Sequence, residues 1–119
     1  MTKHKYKGIK RIIHAFGYSI EGIVAAFKTE AAFRQELVIA VAAIAVVVFL
    51  NIDAVSKALM IFSIFLILIA ELANSAIEAV VDRISAEHHL LSKKAKDVAS
   101  AIVLLAFLNA ICVWAIILV

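Results

Sequence analysis

The chain has 119 residues, 66% of them hydrophobic, and contains no proline. A soluble domain of this size stays near half apolar, so the excess calls for a non-aqueous solvent. A net charge of +3, from 12 basic and 9 acidic residues, is too mild to point to nucleic acid, and the lone Cys112 excludes an intrachain disulfide and reads as a packing thiol.

In chain order, residues 9 to 27 place Ile9, Ile12, Ile13, Phe16, Ile20, Ile23, Val24 and Phe27 at spacings of three and four, one apolar helical stripe. Lys7, Lys10, Arg11, His14, Glu21 and Lys28 fall mostly away from it. A basic amphipathic helix over about residues 6–28 suits a membrane surface rather than its core. Its bland role is an anchor that orients the protein. Gly17 and Gly22 weaken it.

Residues 37 to 50 and 58 to 70 carry no charge, and neither does the stretch from Val98 to Val119. Crossing the hydrocarbon takes about 20 residues of helix. The third stretch meets that length alone; the first two must borrow flanking turns that hold charged groups. Transmembrane helices are therefore expected over about 30–50, 54–84 and 93–119, in one membrane domain. The connection LNIDAVSK suits a helical hairpin, with Asp53 or Ser56 able to cap the second helix. The first long apolar run begins at Leu37, too late for a secretory signal peptide, and none is expected.

The basic residues orient the chain. Seven of twelve precede the first apolar stretch and four more, Arg83, Lys93, Lys94 and Lys96, lie between the second and third. By the positive-inside rule the N-terminus faces the cytoplasm and the C-terminus the opposite side.

Glu71, Asn74, Ser75, Glu78 and Asp82 stand at offsets of 0, 3, 4, 7 and 11, on one side of a helix. An ionised carboxylate facing lipid costs several kcal/mol, so the stripe must face protein, metal or water. Glu30, Arg34, Gln35 and Glu36 open the first transmembrane helix. Glu30 and Arg34 at i and i+4 make an ion pair the plain explanation; beside the stripe, Glu30 becomes a partner for Glu78 in holding a hard cation such as magnesium. His88 and His89 lack cysteine companions, so zinc is not indicated. Lys93, Lys94 and Lys96 suit anionic phosphates, or topology alone. No Walker motif or kinase glycine loop is present.

The segments AFGYSIEGIVAAFKTEAAFRQEL and ELANSAIEAVVDRISAEHHLLSKKAKDVASAIV resemble the two signature regions of the bacterial integral-membrane diacylglycerol kinases. The similarity runs from Arg11 to Trp114, with Ser85-Ala86 replacing a glycine-containing pair and His88 an aromatic residue. The resemblance implies an all-α homotrimer of three-helix subunits with a surface helix and shared active sites, in the bacterial inner membrane with a periplasmic C-terminus. It implies phosphorylation of diacylglycerol by magnesium ATP, giving phosphatidic acid. On matching positions it makes Glu71 the general base, with Asn74 supporting the reacting groups. Glu30 and Glu78 would hold Mg2+, and Arg11, Tyr18, Glu30, Glu78, Glu87, His88, His89, Lys96 and Asp97 would surround the ATP. The lipid would lie against Arg11, Ala15, Ser19, Ala32, Phe33, Arg34, Gln35, Glu36, Glu71, Ser100 and Trp114. Undecaprenol kinase on the same fold is the near alternative. A small proton-coupled transporter is the distant one, which needs a mid-membrane carboxylate.

Overall fold

The computed structural model describes residues 6–84 and 89–119, nearly all of them in helices. Four helices follow one another: α1, Gly8–Thr29; α2, Ala31–Phe49; α3, Ala54–Ile84; and α4, Leu90–Leu118. The last three are long and apolar enough to cross a membrane. In α1 the expected apolar stripe is present and exposed, from Ile9 at 77% to Phe27 at 43%. Only Ala26 of that helix is buried, so α1 touches the bundle near its end, against α2 and α3.

Helix α3 is the centre of the bundle, packed along α4 and less extensively along α2. The packing follows a coiled-coil rhythm of threes and fours. Helix α2 buries Phe33, Ala40 and Val47; α3 buries Met60, Ser63, Ile67, Ala70 and Glu71; α4 buries Ala99, Ala106 and Ala110. Without a hydrophobic drive between helices in lipid, close backbone approach must come from small side chains. The alanines supply that, and the tightest cluster joins Ile67 and Ala70 to Ala106 and Ala110. Many other large apolar side chains are exposed, among them Val38 and Val41 on α2, Phe62 and Phe65 on α3, and Leu104 and Leu105 on α4.

The α2–α3 hairpin is closed by polar groups at its tip. Ser56 donates to Asp53 through both its backbone N–H (3.1 Å) and its hydroxyl (2.6 Å), the expected helix cap. The serine hydroxyl and N–H hold the Asp53 carboxyl below its usual range. Lys57 reaches back and donates to the Val48 carbonyl at 2.8 Å, satisfying one of the unpaired acceptors at the end of α2. Across the same half of the bundle, the Trp114 indole N–H donates to the buried Ser63 hydroxyl at 3.1 Å, and that hydroxyl donates to the Met60 carbonyl at 2.6 Å.

Helix length sets where the polar groups emerge. The 31 residues of α3 span about 46 Å, against about 30 Å of hydrocarbon. A span of that thickness counted from the start of α3 ends near Asn74, with Glu71 on the hairpin side of it and Glu78 and Asp82 on the other.

Candidate active site

The break between α1 and α2 is a single extended residue, Glu30, with φ −115° and ψ 107°. Its backbone N–H still donates to Ala26 (2.8 Å), and its carbonyl accepts from Arg34 (3.2 Å). One acid is thus held where a surface helix turns into a spanning one. The Glu30–Arg34 ion pair does not form. The Arg34 guanidinium instead donates to the Phe27 and Lys28 carbonyls at 2.7 and 3.1 Å. A cation there meets the bare carbonyls and negative dipole end of α1, and the Glu30 carboxylate is left to face elsewhere.

Glu30 lines a groove of about 510 Å³ between α1 and α3, with Ser19, Gly22, Ala26 and Thr29 on one wall and Ser75, Ala76 and Ala79 on the other. The far wall is the flank of the α3 polar stripe. Burial along that stripe falls steadily from Glu71, 7% exposed, through half-buried Asn74, Ser75 and Glu78 to exposed Asp82. The Asn74 amide donates to the Glu78 carboxylate at 3.1 Å, one helical turn away.

Glu36 is the residue whose place most exceeds what the spacing of charges suggested. It stands three residues beyond Phe33 and four before Ala40, on the seam α2 turns toward α3. Its carboxyl consequently faces that of Glu71, and its Oε2 is buried with no hydrogen-bond partner. A buried acceptor without a donor is uncommon and costs on the order of 1–3 kcal/mol. Below it, Glu36 borders an apolar hollow of about 70 Å³ lined by Ile39, Ala40, Ile64, Ile67, Leu68 and Phe107.

The remaining candidates are distributed unevenly. Arg11 and Ala15 lie exposed on α1, where Ser19 donates to the Ala15 carbonyl at 3.0 Å and Tyr18 is half-buried. Ala32, Gln35 and Ser100 are exposed, whereas Phe33 is core at 2% exposure. His89 caps α4, its Nδ1 accepting from Leu91 N–H at 3.0 Å. Lys96 is ion-paired to Asp82 at 2.6 Å, and Asp97 to Lys93 at 2.6 Å. Trp114 sits against Ser63, about 12 Å down α3 from Glu71, so one subunit does not bring it to the acids. Glu87 and His88 lie outside the described residues. Among the described residues no three His, Cys, Asp or Glu side chains converge as a metal cluster.

The chain has known relatives over most of its length. Residues 17–118 match the family model of the prokaryotic diacylglycerol kinases. The chain belongs to that family. A diacylglycerol kinase of Escherichia coli is 50% identical over 111 residues, covering 93% of this chain and 91% of that one. One from Pseudomonas aeruginosa is also 50% identical over 111 residues, with 93% and 90% covered. One from Helicobacter pylori is 40% identical over 110 residues, with 92% and 86% covered. As a family member the chain is a membrane-embedded lipid kinase.

Proposed function

We propose that the chain transfers the γ-phosphoryl group of ATP to the free hydroxyl of diacylglycerol, giving phosphatidic acid and ADP, at the border where the α3 stripe leaves the membrane. The observation that carries this reading is the Glu36–Glu71 pair, a buried acid beside an acceptor that lacks a donor. A lipid hydroxyl entering from the hydrocarbon side supplies that donor. Glu71 then takes the hydroxyl proton as the oxygen attacks the γ-phosphorus and the bond to the β-phosphate oxygen breaks. Asn74, bonded to Glu78 and one turn from Glu71, would support the reacting groups between them.

Glu30 and Glu78 would hold magnesium. Two carboxylates fall short of a protein metal cage. They suit an ion that takes one or two carboxylates and completes its shell with phosphates and water. When bound, such an ion supplies charge neutralisation at the phosphates. His89, Lys96 and Asp97, on the first turns of α4, would lie around the nucleotide.

The working unit in this reading is a homotrimer, by family resemblance, with sites shared between neighbours; the groove at Glu30, open in one subunit, supports it. In this reading the chain lies in the bacterial inner membrane with its polar end toward the cytoplasm, which the charge bias supports. The test is labelled ATP offered to the purified protein in mixed micelles with diacylglycerol or undecaprenol. Label should enter diacylglycerol; incorporation into undecaprenol alone would move the chain to that sister activity. Incorporation into neither lipid would refute the kinase reading of the site.

A further inference from the structure

Asp82 closes the polar stripe, and neither the base nor the metal role uses it. Its position is electrostatically odd, because it lies in the last turn of α3, where the negative end of the helix dipole disfavours an acid. The same turn holds one basic residue, Arg83, but the ion pair that Asp82 makes is with another helix. The compensation comes across the connection, from Lys96 on α4, whose ammonium meets the Asp82 carboxylate at 2.6 Å. Glu78 is the second acid that acts on the same ammonium. Nearby lysines are used differently: Lys93 is bound to Asp97 on its own helix, and Lys94 is exposed.

The Lys96 and Asp82 side chains are 42% and 64% exposed, so their pair contributes little to stability. What it does is restrict position. A lysine side chain carries about 2 kcal/mol of rotamer entropy, and an ammonium has three N–H donors. With one donor fixed on Asp82, the others stay available beside Glu78.

We propose that Asp82 is a positioning residue for phosphoryl transfer, holding the Lys96 ammonium beside Glu78 so that its free donors meet the nucleotide's phosphates. The inference rests on the reading of Lys96 and Glu78 as nucleotide contacts. It predicts a defect in nucleotide capture rather than in chemistry.

The test uses the full chain in mixed micelles, with KM for magnesium ATP, kcat and the thermal midpoint measured for D82N, D82E, K96M and the D82N/K96M double variant. D82N should raise the KM for magnesium ATP about three- to fivefold, the scale an exposed ion pair allows, with kcat and thermal midpoint close to those of the parent. D82E should recover most of the loss, and D82N should add nothing in the K96M background. An unchanged or lowered KM in D82N, with K96M still defective, overturns the role of Asp82 alone. An equal D82N effect with and without Lys96 overturns it as well. A K96M variant with parental KM overturns the nucleotide reading of Lys96, and the proposal with it.

Discussion

Glu71→Gln keeps the shape of the side chain and removes its ability to take a proton, and the structure sets the scale of the result. Glu71 is only 7% exposed and faces Glu36, so bulk water has little access to replace it as a proton acceptor. General-base catalysis contributes about 10²- to 10⁴-fold, and the loss should sit near or above 10² in kcat, about 2.7 kcal/mol of barrier. Glu78 is two helical turns, about 10 Å, further along the same face, half-buried and bonded to Asn74. Glu78→Gln should therefore weaken magnesium ATP binding as well as turnover, whereas Glu71→Gln should spare it. Calorimetric titration with magnesium ATP beside kcat, in one detergent and at one pH, separates the two. The assignment fails if Glu71→Gln abolishes nucleotide binding while Glu78→Gln leaves it intact.

Mixing inactive Glu71→Gln and Glu30→Gln subunits should restore part of the activity if sites draw on neighbours; no recovery after confirmed subunit exchange would count against sharing. Trp114→Phe removes the donor to the buried Ser63 hydroxyl and should cost about 1 kcal/mol, seen as a lowered midpoint of thermal unfolding in detergent. Asp53→Ala removes the α3 cap and should also lower that midpoint. Because folding depresses the Asp53 pKa, its ionised form stabilises the fold above the ordinary value of 3.8. That contribution fades as pH falls through and below 3.8, so the gap between variant and parent should close in acid.

The spanning helices were legible because their cause is compositional: long uncharged runs between short polar connections admit few other arrangements. The stripe on α3 was legible because polar residues at helical spacing stand out against an apolar background. Glu36 was harder. Helix α2 is apolar nearly all round, so nothing in its periodicity told the seam facing α3 from the face turned outward. The seam can be read back from Phe33, Ala40 and Val47 once their burial is known. Arg34 misled for a local reason, since an acid four residues earlier is its ordinary partner. That partner lost to the bare carbonyls at the end of α1, which exist only because the chain breaks at Glu30. The Asp82–Lys96 pair depends on how α3 and α4 meet across their connection, which sequence spacing does not encode.

The central claim is that a lipid hydroxyl comes to rest between Glu36 and Glu71 at the membrane border. The measurement that addresses it most directly is an experimental structure of the assembled protein with a non-hydrolysable magnesium ATP analogue and a short-chain diacylglycerol. The account predicts the free hydroxyl within hydrogen-bond distance of the Glu71 carboxylate, with Glu36 as a second acceptor and the γ-phosphate toward Glu78. A lipid headgroup seated at the Trp114–Ser63 end, or a nucleotide remote from Glu78, would contradict it.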